Sequence, residues 1–474
     1  MAAVALVALL VAAAAPRLAP VVPALALAVV LVRAHTTALL AWPTLVGALV
    51  VLVLVLPIRR YVLPAGVPVD LEPYRIAVAL VLAAWGASLL VQPDEHVSLG
   101  GLGAPLVGIA AAIGLSIAAN AGAIGDAGLS PEVVKGASFL ASYVLVAAFA
   151  ASTLRTRADR EAVVVVLAGG GTLVAVLALV ESRTGFNPFD HLQGLVPELR
   201  YRADGFLSAA QEGRGGRLRV RASAQHPIAL GAALVLLVPL ALHLARRRRS
   251  LAWVAAAALL VLGALATVSR TAMVMLLAEV VVFAVLRPRT ARRLWPALLP
   301  LVLVVHLATP GVLGAFKGAF FPKGGIVAQQ RSGAATYGSG RLADLEPGLR
   351  EWSRTPLAGQ GYGTRITQRT DPKHNAPILD DQWLGLLLTT GAAGVAAFAW
   401  LFARAVRRLG RRSHGRDAEA DLALALAAAT LAFAVGMATY DAFSFVQVTF
   451  LLFLLLGLGG ALLGAPQRAT QSTK

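Results

Sequence analysis

The sequence predicts an all-α fold, a polytopic transmembrane helical bundle of about 12–14 helices with a large external loop between late helices. Composition is the first reason: of 474 residues, 58% are hydrophobic and only 14% charged, and the mean hydropathy is +0.74, far from the balance of a water-soluble domain. The second is run length, since Ile76 to Val91, Ala162 to Val180, Ile228 to Ala245 and Leu251 to Val268 each approach the roughly 20 apolar residues that cross a hydrocarbon core. The third is where the charge sits: arginines collect in short loops between apolar runs.

Taken in order, the spans fall near 1–16, 18–33, 37–57, 75–92, 103–121, 133–153 and 161–181, then near 226–245, 251–268, 271–287, 295–309, 383–403, 420–439 and 444–463. The first run opens apolar, without a basic leader or a small-residue cleavage site, and reads as a retained helix. The chain divides into an N-terminal transmembrane bundle (1–181), an external loop (182–225), central transmembrane helices (226–309), a large external loop (310–382), and C-terminal helices with a cytoplasmic tail (383–474). No tandem repeat interrupts this order.

A net charge of +18 on a soluble protein suggests nucleic acid. Here the positive-inside rule accounts for it, and no nucleic-acid partner is expected. The chain has no cysteine, which removes thiol chemistry and disulfides. Basic loops at Arg155–Arg160, Arg246–Arg249, Arg287–Arg293 and Arg404–Arg416 put that side and the C-terminus in the cytoplasm. Arg59 and Arg60 break the pattern, because the same alternation puts them outside, which implies either a miscounted early span or a local violation of the rule.

Two long hydrophilic segments then emerge externally, Ser182–Gln225 and Pro310–Gln382, and long connections in compact membrane domains usually carry function. The first ends in Arg219-Val-Arg221, with His226-Pro227 opening the next span. Guanidinium forks bind phosphate oxygens bidentately; snorkelling at the interface is the plainer alternative. Ser269-Arg270-Thr271 forms a tight external turn where Ser269 or Thr271 can cap a helix, and Arg270 lies on the side that the positive-inside bias disfavours.

In the second segment Leu342, Leu345, Leu349 and Trp352 recur at helical spacing beside Arg341, with Pro347 expected to mark a helix start. Gly359, Gly361 and Gly363 follow without the strand a phosphate-binding glycine loop requires. His374 and Asn375 lie near Asp371, Asp380 and Asp381, and a neutral imidazole can accept a hydroxyl proton near neutral pH; an ordinary solvated loop histidine is the alternative. Glu279, His243 and His306 are ionisable groups inside spans, worth a functional hypothesis by default. No metal-ligand spacing appears, and no metal or cofactor is expected.

In chain order, Arg219 through His226-Pro227, Ser269-Arg270-Thr271, and the series Gly340-Arg341, Trp352, Pro356, Gly359-Gln-Gly361-Tyr-Gly363, His374-Asn375 and Gly391-Ala-Ala-Gly394 resemble the O-antigen ligase and polymerase superfamily. Its members are bacterial membrane glycosyltransferases that use polyprenyl-diphosphate-linked glycans at the external face of the cytoplasmic membrane.

The resemblance implies a metal-independent, inverting transfer to a glycan or lipid acceptor, with membrane lipids as surroundings and no cofactor. It assigns diphosphate binding to Arg219 and Arg270, with Arg221 and Arg341 assisting, acceptor handling to His374, and possible support to Ser269, Asn375 and Asp381. The chain departs from the family pattern with His226 where asparagine is common and with Asp380-Asp381-Gln382 where apolar residues often stand. Ligation and polymerisation both remain open, and the arginine- and alanine-rich composition suggests a high-GC bacterium making a capsule or wall polysaccharide. A transporter or flippase of lipid-linked sugars, or a noncatalytic scaffold, are the alternatives from other classes.

Overall fold

The computed structural model describes residues 41–63, 72–93, 95–202, 218–289, 341–367 and 374–465 except 416 and 418, with isolated positions 292, 296, 314, 317 and 371. The expected spans at 1–16, 18–33 and 295–309, and His306, lie outside them. Every other expected span is met by a helix: α1 (Trp42–Val55), α2 (Pro73–Val91), α3 (Gly103–Ala119), α5 (Ser130–Thr153), α6 (Arg157–Thr184), α7 (Pro227–Arg248), α8 (Leu251–Ala266), α9 (Arg270–Leu286), α11 (Gln382–Ser413), α12 (Ala420–Gly436) and α13 (Val446–Gly464). Short α4 (Ala121–Asp126) and α10 (Arg341–Trp352) flank the bundle. Seven of the described helices are long and apolar enough to cross a membrane.

Burial separates a centre from a ring. The most apolar stretches of α13 and α7 are 94% and 89% buried, whereas that of α2 is 33% buried, so the first two form the core and α2 presents most of its surface outward. Between helices in lipid the gain comes from close packing rather than from expelled water, and small residues permit it. At Gly457 of α13, an added Cβ would lie 2.5 Å from the Ala147 carbonyl of α5, so this contact requires glycine.

The bundle has two chemically different ends. At one, Arg155 pairs with Glu95 (2.7 Å), Arg160 with Glu419 (2.5 Å), Arg246 and Arg287 with Asp421 (3.5 and 3.6 Å), and Arg248 with Glu161 (3.1 Å). This is the basic end. Arg59 and Arg60 lie at the other, three crossings (α2, α3, α5) away from Arg155. Between Arg60 and Arg155 the described helices make the three crossings that the alternation requires. These two arginines sit opposite the basic loops.

A break inside α11 positions the loop that follows α10. Gly391 has φ 66° and ψ −166°, a conformation closed to residues with a Cβ, and it leaves backbone groups on both sides without intrahelical partners. Residues 356–361 supply the partners. The Gln360 and Gly361 amides donate to the Leu388 and Thr389 carbonyls (2.9 and 3.1 Å), while the Ala392 and Ala393 amides donate to the Pro356 and Leu357 carbonyls (2.9 and 3.2 Å). Such breaks persist in membrane proteins only where the freed groups are satisfied by protein. Asn120 and Ser116 hold the arrangement from α3 and its end, donating to the Gly359 and Thr389 carbonyls (3.0 and 2.6 Å).

One expectation is corrected. The helix at Arg341 does not start at Pro347 but runs through it to Trp352. Proline forfeits a single backbone hydrogen bond there, and this twelve-residue helix lies against the start of α11, with Gly348 facing Leu384.

Candidate functional site: an arginine-lined cavity at one end of the bundle

Opposite the basic end, a cavity of about 940 Å³ opens between the ends of α2, α5, α7, α9 and the α12–α13 turn. Its wall carries Arg59, Arg75, Lys135, Arg202, Arg219, Arg270, Arg341 and Arg365 against the acids Glu72, Glu132, Asp380 and Asp441. Among the described residues the site thus has a twofold excess of cationic over acidic side chains.

Each wall segment is fixed locally. Past α1 the chain turns through Arg59 at φ 66°, its amide donating to Glu72 (2.7 Å). Strands β1 (Tyr61–Val62) and β2 (Arg200–Tyr201) then pair antiparallel, carrying Arg202 to the cavity, where its amide donates to the Arg60 carbonyl (2.8 Å). Ahead of α7, the Ala222 amide donates to Glu181 (2.7 Å) and the Ser223 hydroxyl to the Leu54 carbonyl (2.5 Å), fixing the segment that bears Arg219. His226 caps α7, its Nδ1 accepting from the Ile228 amide (3.1 Å). Ser269 caps α9, with its oxygen 3.4 Å from the Ala272 amide, which puts Arg270 on the first turn facing the cavity.

Of the residues singled out from sequence, Arg219, Ser269, Arg270 and Arg341 line this one cavity. Arg219 is 9% exposed and Ser269 1%. Arg341 is anchored by its Nε donating to the Asp380 carbonyl (3.2 Å). Arg221 is not on the wall; it pairs with Asp190 (3.0 Å), which also receives Arg60 (3.0 Å). Asp381 caps α11, accepting from the Leu384 amide (3.1 Å), and burial holds its carboxyl above the ordinary range. His374 and Asn375 line a neighbouring cavity of about 350 Å³, and Arg365 belongs to both walls. The His374 Nδ1 meets Asp371 at 2.5 Å. Glu279 and His243 are buried in α9 and α7 and line neither cavity.

The structure adds Asp441, which motif reading passed over. It sits in the short turn between α12 and α13, on the wall of the large cavity. Burial pushes its carboxyl up to about 6 against the pull of the Ser444 hydroxyl, which donates to it. A carboxyl poised there can exchange a proton near neutral pH. The available signal was an acidic residue in a turn only a few residues long, on the same side as Arg219 and Arg270. Among the described residues no three His, Asp or Glu side chains converge as a metal set.

Arg60 explains the exception to the positive-inside pattern. Its guanidinium is fully buried, donating to Asp190, to the Ala222 carbonyl (2.8 Å) and to the Ala224 carbonyl. It is therefore a structural pin behind the cavity wall.

A many-helix membrane bundle with an arginine-lined cavity at one end offers a place for an anionic group. Residues 255–399, from α8 into α11 and just under a third of the chain, match the sequence model of the family described as O-Antigen ligase. No curated protein matches the chain.

Proposed function

We propose that the protein is a cell-envelope glycosyltransferase, moving a glycan from a polyprenyl-diphosphate donor to an acceptor hydroxyl at the external face of a bacterial cytoplasmic membrane, with its C-terminus cytoplasmic. The observation that carries this reading is the convergence of Arg219, Arg270 and Arg341 from three separate segments on one cavity at the less basic end. A diphosphate leaving group gains negative charge as the glycosidic bond breaks, and preorganised guanidiniums at a low-dielectric boundary stabilise that change.

In this mechanism Arg219 and Arg270 hold the diphosphate and Arg341 assists from α10. The acceptor oxygen attacks the anomeric carbon from the face opposite the diphosphate. One C–O bond forms, the C–O bond to the diphosphate breaks, configuration inverts, and polyprenyl diphosphate leaves with its electron pair. His374, in the adjoining cavity that shares Arg365, receives the acceptor proton. A second assignment rests on Asp441, which lines the same cavity as the arginines, whereas His374 lines the adjoining one. In both versions no metal is required of the leaving group, because the guanidiniums take that role. Arg221 serves indirectly, holding Asp190 and with it the Arg219 segment, and Asn375 and Asp381 fix the loop and the start of α11.

The test is transfer from a purified polyprenyl-diphosphate-linked glycan in nanodiscs with EDTA present. Product that forms with wild type and disappears with His374→Ala or Asp441→Asn supports the mechanism and identifies the base. Absence of product together with movement of lipid-linked sugar across liposomes turns the reading to a flippase.

A further inference from the structure

The far end of the molecule carries a second basic feature, unrelated to the cavity above. On α11, Arg404, Arg407, Arg408 and Arg411 surround a hollow of about 350 Å³ together with Trp400. Arg408 and Arg411 also line an adjoining hollow of about 270 Å³, together with Arg412, which is paired with Asp417, and with Leu462, Leu463 and Ala465 at the end of α13. Among the described residues none of these four guanidiniums has a carboxylate within ion-pair distance, although Arg155, Arg160, Arg246, Arg248 and Arg287 at the same end each have one. Topology control needs positive charge alone; it does not need four guanidiniums gathered around a hollow that no acid neutralises.

The hollow is built. Arg404 is held by donation to the Gly101 carbonyl (2.7 Å). Arg408 lies over Gly101 so closely that a Cβ there would come within 1.5 Å of its guanidinium, and Gly101 has φ 81°. Depth fits as well. From its break at Gly391 to Ser413, α11 rises about 33 Å, against a hydrocarbon core of about 30 Å, so its last turns fall toward the headgroups. Trp400, 45% exposed one turn before Arg404, is a side chain suited to that boundary.

We propose that this pair of hollows binds the headgroup of an anionic phospholipid, one carrying two phosphodiesters in preference to one, with a phosphate in each hollow and acyl chains along the outer surface beside Trp400. Arginine forks match phosphate oxygens, and basic pockets between helices at this boundary suit such headgroups. The site is independent of the chemistry at the opposite end.

The test uses the full chain purified in detergent, delipidated, and offered phosphatidylcholine, phosphatidylglycerol or diphosphatidylglycerol while retained lipid is counted by native mass spectrometry. Arg408→Gln/Arg411→Gln is compared with Arg247→Gln/Arg249→Gln, which removes the same charge from the same end outside the hollows. The expected result is one diphosphatidylglycerol per chain in wild type and in the Arg247/Arg249 variant, and at least tenfold less in the Arg408/Arg411 variant. Equal retention in both variants, or retention of phosphatidylcholine at the same level, overturns the proposal. So does complete displacement by millimolar inorganic pyrophosphate, which would make the ligand a soluble diphosphate. Should the Arg408/Arg411 variant fail to give a monodisperse protein, Arg407→Gln alone is expected to weaken retention without that risk, and unchanged retention would count against the site.

Discussion

Arg60 and Asp190 meet at 3.0 Å although 130 residues separate them, tying the chain after α1 to the turns after α6. Arg60 is buried, and burial together with the neighbouring Arg221 draws its guanidinium down to about 10. Removing one partner of such a pair strands the other charge, which costs about 3–5 kcal/mol, whereas replacing both with apolar groups is often near neutral. Asp190→Ala is therefore expected to lower the unfolding temperature in detergent strongly, and Arg60→Met/Asp190→Leu to recover part of the loss. Equal loss in the single and double variants would show that the pairing itself is not what stabilises this corner.

Gly391 sets the second prediction. A Cβ there would lie 2.2 Å from the Leu357 carbonyl oxygen, in addition to the strain of a positive φ worth about 1–3 kcal/mol. Gly391→Ala is expected to expel residues 356–361 and expose them to protease while transfer activity is lost. At Gly394 the atom a Cβ would meet first belongs to the Thr390 side chain, which can turn away, so Gly394→Ala should be milder.

Asp441 predicts a pH signature. Its carboxyl is raised from 3.8 to about 6, so the folded protein holds that proton more tightly than the unfolded chain. The associated stability is complete below pH 3.8 and is lost as pH rises through about 6. Asp441→Asn should consequently match wild type in stability at pH 4 and exceed it at pH 8. If Asp441 takes the acceptor proton, wild-type transfer rises through about pH 6 and the asparagine variant loses that limb and most of the activity. A variant with full activity and an unchanged profile would leave His374 as the base.

The absence of native cysteine makes orientation directly measurable. Glu346→Cys lies on the exposed side of α10 beside the cavity, and Arg247→Cys lies at the basic end. An impermeant maleimide is expected to label the first in intact cells and the second only after lysis. The reverse pattern would place the cavity in the cytoplasm and remove the envelope assignment.

Most helices were legible because a bilayer demands about 20 apolar residues per crossing, a signal that survives without tertiary context. The meeting of Arg219, Arg270 and Arg341 was legible as type and order, since all three lie in polar connections on one side of the alternation. Distances were not, because they depend on where α10 docks and how α11 breaks at Gly391, and a glycine triple reads the same whether it cradles phosphate or mends a broken helix. Arg221 looked equivalent to Arg219 from spacing, yet its partner Asp190 lies 31 residues away and carries no motif. Asp441 escaped for the same reason. A single acid in a short turn becomes notable only when a cavity forms around it.

In the proposed mechanism Arg219 and Arg270 hold a diphosphate in one cavity. The most direct measurement is single-turnover transfer from a polyprenyl-diphosphate-linked glycan, comparing wild type with Arg219→Ala, Arg270→Ala and Arg270→Lys, each first shown to be folded. Loss of two to three orders of magnitude in rate, about 3–4 kcal/mol of transition-state stabilisation, with only partial recovery by lysine, is the predicted result. Folded alanine variants that transfer at the wild-type rate would contradict it.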